Sequence, residues 1–337
     1  MNGLERIVAA VKFEEADRVP VVAQVFGHAG VICGVPLEEY VRDGQTLARC
    51  QIEALHRYGY DAVFSVMDAN VETEAVGSVL RYRLNQYPTI EHYAMGEGAD
   101  TPFPAVPDPE HAGRMPEMLR ALRILRAELG DEVLIVGCVL GPFTLTSQLL
   151  GLEKTLYMAI DDLPRLERIL DYATEVVLRF GEAQIRDGAH LPLVFDPSAS
   201  PAVVPPRFFR ELELPRLKRI FEELAAAGAI ANWLHVAGPV RPILSFYPNA
   251  GVNVANFDYC VDPAQVREEL PNTCVDGNIR SLAFVDSDPA EIASDAERLL
   301  GAFGDRGGFI LSSGCEIPPE SAPENIAAMV GASRGGA

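Results

Sequence analysis

The sequence predicts a single (β/α)8 TIM barrel, and three observations point to it. Eight short apolar runs, most of them rich in β-branched residues, recur along the 337 residues. Most are near-continuous rather than alternating, as parallel strands covered on both faces require. Longer segments with helical spacing separate them, and no Pro/Gly/Ser-rich linker divides the chain, so 1–337 reads as one domain. Right-handed crossovers close such a series at eight strands, whereas an open doubly wound sheet would leave two edges to cover.

Taken in order, residues 4–13 form a helix ahead of the first strand, placed to cap the barrel floor. The strand runs are 18–23, 61–67, 133–139, 191–195, 231–236, 251–256, 273–276 and 308–312. Amphipathic spacing predicts helices over 37–57, 117–129, 163–186, 206–227, 289–303 and 324–330. The stretch 69–118, rich in Gly and Pro, is too long for an ordinary connection. It is expected as an insertion after the second strand, near the active-site mouth.

Composition narrows the function. With 28 Lys+Arg against 48 Asp+Glu, the net charge is -20, which repels phosphate backbones and anionic membranes. Neither nucleic acid nor a membrane is an expected partner. No basic segment followed by an apolar run opens the sequence and no stretch approaches 18 uninterrupted apolar residues, so a cytoplasmic location is expected. The six cysteines are scattered, which fits reduced thiols better than a disulfide framework. Phosphate-binding loops, a dinucleotide fingerprint and a serine nucleophile elbow are all absent from the sequence.

Chemistry in such a barrel sits at the C-terminal strand ends. There the sequence offers Gln24, Phe26 and His28, then Asp68, then Gly141-Pro142-Phe143, then Asp196, His235, Phe257-Asp258, Asn278 and Cys315. Asp68, Asp196, His235, Asp258 and Cys315 form a ring of titratable or metal-capable groups. Each has a plainer reading singly: a histidine after a strand often only holds structure, and an aspartate before Pro-Ser often caps a turn or helix. Cys315, on a turn bounded by Gly and Pro, is the cysteine least like core filling.

These residues resemble the uroporphyrinogen decarboxylase superfamily, and within it the cobamide-dependent methyltransferases. The resemblance spans nearly the whole chain, through Asp17-Arg18-Val19-Pro20, Tyr58-Gly59-Tyr60-Asp61, Gly141-Pro142-Phe143-Thr144, Leu234-His235-Val236-Ala237-Gly238, Gly277-Asn278, Ser313-Gly314-Cys315-Glu316-Ile317-Pro318-Pro319 and Pro323-Glu324-Asn325-Ile326. The superfamily's decarboxylases hold a porphyrinogen's carboxylates with arginines after the first strand. Here residues 23–30 contain none.

In the methyltransferase branch, His-x-Cys after the fifth strand and Cys after the eighth look like zinc ligands. His235 and Cys315 match the outer two, but the middle position is Ala237. The resemblance therefore implies zinc held by His235 and Cys315, completed by a carboxylate such as Asp196 or Asp258. It implies a corrinoid-dependent methyltransferase moving a methyl group between a small substrate, methoxylated or N-methylated, and a separate corrinoid protein. The chain lacks an Asp-x-His-x-x-Gly cobamide motif, since Trp233 stands where the aspartate would be, so the corrinoid is expected on that partner. In this reading Asp196, Asp258 and His235 are catalytic, and Gln24, His28, Phe143 and Asn278 contact substrate. Two alternatives stand beside it. One is a metal-free decarboxylase or lyase, with Arg241 and Arg280 as its best anion-binding candidates; the other is a non-catalytic barrel that binds a small molecule or a corrinoid protein.

Overall fold

The structure, a computed structural model, describes residues 1–95, 103–304 and 306–335. Part of the 69–118 insertion therefore lies outside the described residues. The described residues form ten strands: β1 (Val21–Val22), β2 (Ala62–Phe64), β3 (Val79–Arg83), β4 (Gln86–His92), β5 (Leu134–Leu140), β6 (Leu191–Phe195), β7 (Trp233–His235), β8 (Val254–Asn256), β9 (Cys274–Ile279) and β10 (Phe309–Ser313). Eight of them form one sheet in the order β1-β10-β9-β8-β7-β6-β5-β2, every pairing parallel. Each of the eight sequence runs carries one of these strands, and the expected TIM barrel is found.

The seam between β1 and β2 is closed by one residue rather than a ladder. Asp61 gives its N–H to the Val21 carbonyl at 2.8 Å, and its carboxylate accepts from Val21 N at 2.8 Å. Arg18 grips the same carboxylate at 2.7 and 2.8 Å, and Arg6 of the first helix, Gly3–Val11, reaches it at 3.1 Å. A buried carboxylate is tolerable only when so paired. The motifs around Arg18 and Asp61 thus serve barrel closure. Gly59 between them ends the helix Gly44–Tyr58 at φ 71, a left-handed cap that favours glycine.

Strand period divides the core in two. Inward side chains, among them Val22, Phe64, Val136, Leu193, Trp233, Cys274 and Ile310, fill the barrel, while a larger cluster lies between sheet and helices. The helix Leu163–Arg186 illustrates the second. Asp162 caps it, accepting from Arg165 N at 3.3 Å, and Leu166, Ile169, Leu170, Ala173, Val177 and Phe180 recur at helical spacing on its buried face. Full burial of each large side chain contributes about 1.5–3 kcal/mol.

Three elements depart from the sequence reading. The helix expected over 37–57 is two, Leu37–Tyr40 and Gly44–Tyr58, the second capped by Asp43. The helix expected over 206–227 changes winding: Pro206–Phe208 is α, Phe209–Glu213 is π and Leu214–Ala226 is α again. Pro215 has no N–H for the carbonyl four residues back, which coincides with the wider turn. The insertion holds a helix, Val71–Val76, and the antiparallel hairpin β3–β4.

Candidate active site

A cavity of about 180 Å³ opens at the C-terminal strand ends. Its apolar walls are Phe26, Val66, Met118, Leu140, Leu193 and Phe195. Its polar lining includes Asp68, Asn70, Glu72, Tyr87, Cys138, Cys315 and Glu316, and no Lys, Arg or His is among the described lining residues. The hairpin contributes Tyr87 of β4, whose hydroxyl accepts from Gly27 N at 2.9 Å and donates to Glu316.

The three carboxyls are held differently. Asp68 is paired with Arg114, which also binds Glu74 at 2.6 Å. Glu72 is 3% exposed, and its Oε1 accepts from Leu140 N at 2.7 Å. That N–H is free because β2 ends at Phe64 and leaves the far part of β5 without a neighbour on that side. Gln184 fills the preceding gap, bonding Cys138 N and O at 2.7 and 2.8 Å. Burial pushes Glu72 up to about 7, and it pushes Glu316 up to about 7 as well. Neither has an ion-pair partner among the described residues.

Of the site residues expected from sequence, Cys315 lines this cavity. His235 lies beside it, its ring edge-on to Phe195 with centroids 4.7 Å apart. The parity of β7 turns His235 inward above Trp233, and both its ring nitrogens are buried without a hydrogen-bond partner. Desolvation lowers its pKa to about 3, so it is a neutral imidazole near pH 7. Burial pushes the Cys315 thiol up to about 11, with Asp258 nearby adding to the effect. Asp258 accepts from Gly238 N at 2.9 Å and Tyr259 N at 2.7 Å, so it ties the loop after β7 to the loop after β8.

Asp196 is placed otherwise than as a mouth group. One residue beyond inward Phe195, it points out to the helix Pro142–Leu150, where its Oδ1 accepts from Thr144 N at 2.8 Å and Thr144 Oγ1 at 2.5 Å. It caps that helix from outside, and Gly141 is required there because a Cβ would stand 2.2 Å from the Asp196 Cγ. Its other oxygen faces Glu213 at the end of the π segment, and neither that oxygen nor either oxygen of Glu213 has another hydrogen-bond partner among the described residues. Two facing carboxyls can bond only if one keeps its proton. Burial raises both pKa values, and Glu213 goes well above the usual range because the Asp196 charge adds to desolvation.

The expected substrate contacts also have other duties. His28 bonds Pro319 O at 3.0 Å and Tyr58 Oη at 2.7 Å, which uses both ring nitrogens. Phe143 is buried in the packing of its helix. The Gln24 amide donates to Ser313 O at 3.2 Å, and Asn278 Nδ2 donates to Asp258 O and Val261 O at 3.2 and 3.0 Å. None of these four lines the cavity. Arg241 and Arg280 are also absent from its lining, and Arg280 pairs with Asp286 at 3.2 Å. Sequence reasoning missed Glu72, Tyr87 and Glu316; Glu316 had a signal, as the neighbour of Cys315.

Zinc is the metal the resemblance implies, and the donors do not fit a three-ligand site as placed. No group of three or more His, Cys, Asp or Glu side chains that could hold a metal ion occurs among the described residues. Ala237 supplies no donor where the third would stand.

Comparison with known proteins agrees with the geometry of the fold. A methylcobamide:CoM methyltransferase of Methanosarcina barkeri is 28% identical over 97% of this chain and 96% of that protein. A uroporphyrinogen decarboxylase of Magnetococcus marinus is 24% identical over 98% of this chain and 96% of that one. A solved structure, a methyltransferase from Methanosarcina mazei, superposes with TM-score 0.90 at 27% identity and covers 99% of each chain. The match to the uroporphyrinogen decarboxylase (URO-D) family runs over residues 2–335, and the chain belongs to that family.

Proposed function

We propose that the protein is a corrinoid-dependent methyltransferase, moving a methyl group between a small methoxylated or N-methylated compound and a corrinoid carried on a separate cytoplasmic protein. The observation that carries this reading is the lining of the mouth cavity: three carboxyls and no described cationic side chain. Such a lining opposes a polycarboxylate tetrapyrrole. It admits a small neutral or cationic molecule. Similarity to methyltransferases over nearly the full length supports the same choice.

The corrinoid would supply the cobalt that takes or gives the methyl group. The chain's own part is to hold the methyl compound and exclude water around it, which the aromatic and aliphatic walls accomplish. Glu72 and Glu316 meet its polar end; with pKa values near 7, either can carry or release a proton at a leaving atom. His235, neutral at that pH, is suited to a hydrogen bond or a lone-pair contact and not to proton delivery. Because three metal donors are not brought together, no step here passes through zinc.

The test is turnover of purified protein with reduced cobalamin and a panel of methyl ethers and methylamines, followed by the absorbance of the cobalt centre. Transfer from at least one donor, weakened at least tenfold in kcat/KM by Glu72→Gln, supports the reading. Decarboxylation of uroporphyrinogen with no methyl transfer refutes it.

A further inference from the structure

The cavity's hydrogen-bonding inventory restricts what can occupy it. Its available acceptors are the carboxyls of Glu72 and Glu316, since both oxygens of Asp68 are taken by Arg114. Its donors are few. The Tyr87 hydroxyl is spent on Glu316, the Asn70 amide donates to Pro88 O at 3.0 Å, and Cys138 and Cys315 offer only weak thiol donors. Once Glu72 and Glu316 are deprotonated, an ether or alcohol oxygen, itself an acceptor, finds little to bind there, whereas a cation does.

Glu72 gives a second and independent indication. It is 3% exposed and lines the cavity, its carboxyl held by the backbone N–H groups of Leu140 and of Glu72 itself, with no side-chain hydrogen bond among the described residues. Neither it nor Glu316 forms an ion pair with a described cation, and Arg114, which acts on Glu72 only at longer range, is already paired with Asp68 and Glu74. A buried carboxyl without a counter-charge is costly as an anion, and a bound cation would remove that cost. Around it stand Phe26, Phe195 and Tyr87, whose ring faces attract a cation most strongly where water is excluded.

We propose that the mouth cavity is a binding site for a small methylated ammonium cation, its charge met by Glu72 and Glu316 and its methyl groups by Phe26, Phe195 and Tyr87. This deepens the methyl-transfer reading by choosing among its substrates, and it rests on that reading only for turnover. Anions, including thiol sulfonates and carboxylates, are excluded by the same two side chains.

Calorimetry on the full chain at pH 8, without corrinoid, tests the site separately from the reaction. The probes are phenyltrimethylammonium, its uncharged counterpart N,N-dimethylaniline, and mercaptoethanesulfonate. The cation is expected to bind at least tenfold more tightly than the neutral amine, and the sulfonate not at all. Glu72→Gln and Glu316→Gln should each weaken the cation at least fivefold and change the neutral amine less than twofold. Glu297→Gln, on an exposed helix face, controls for net charge and should change neither. Thermal melting of each variant establishes that it is folded. Equal or tighter binding of the neutral amine, binding of the sulfonate, cation binding indifferent to both glutamates, or no binding of any probe overturns the proposal. The turnover panel then decides the methyl-transfer reading with donors of other classes.

Discussion

At the scale of single residues, the position that departs from the zinc-ligand pattern the resemblance implies is Ala237. His235 keeps two unpartnered ring nitrogens and Cys315 offers a sulfur, so two of the three metal donors that the resemblance implies are present without the third. Tight zinc sites need three or four ligands. Ala237→Cys is therefore expected to raise zinc affinity at least tenfold over the native chain, as measured by competition with a chelator; equal affinities would show that the loop does not carry residue 237 toward the other two. His235 and Cys315 were legible in the sequence because they sit at predictable strand ends. Asp196 was legible as a strand-end residue but its direction was not. One step of the strand's two-residue period separates inward Phe195 from outward Asp196, and the register that decides it is set by pairing with β5 and β7. Glu72 could not be read at all, because its place depends on β2 stopping at Phe64 and leaving Leu140 N unpaired.

At the scale of elements, the π segment Phe209–Glu213 delivers Glu213 to Asp196. Both folded-state pKa values are raised, so the stability the pair contributes is complete below the unfolded carboxyl values. It is lost as pH rises through the folded values. Glu213→Gln supplies an amide donor in place of the shared proton and cannot ionise. In urea titrations this variant should match the native chain within about 1 kcal/mol at pH 5 and exceed it at pH 9. A native-like loss of stability between those values would contradict a shared proton. The strands and the helices 163–186 and 289–303 were readable because burial on both faces, or on one helical stripe, leaves a direct trace in hydropathy. The winding change at 209–213 and the hairpin β3–β4 leave no such trace. The hairpin's residues are mostly exposed or half-buried, and it is held to the barrel by tertiary contacts such as Tyr87 with Gly27.

At the scale of the whole molecule, the barrel separates two tasks. At the seam, the cluster of Asp61, Arg18 and Arg6 is paired and holds the sheet closed. The mouth keeps unsatisfied groups, including His235, the Gln24 and Asn278 carbonyl oxygens and Ser313 Oγ, around an acid-lined cavity. Polar groups left unpaired in a buried layer are costly and are expected where a ligand completes them. The central claim, that methyl transfer takes place in this cavity, is tested most directly by closing it. Ala69 is exposed at the rim and lines the cavity, so Ala69→Trp can obstruct it without disturbing the core. With reduced cobalamin and a methyl donor accepted by the native protein, transfer by the folded Ala69→Trp variant should fall at least tenfold. Undiminished transfer would place the chemistry elsewhere on the molecule.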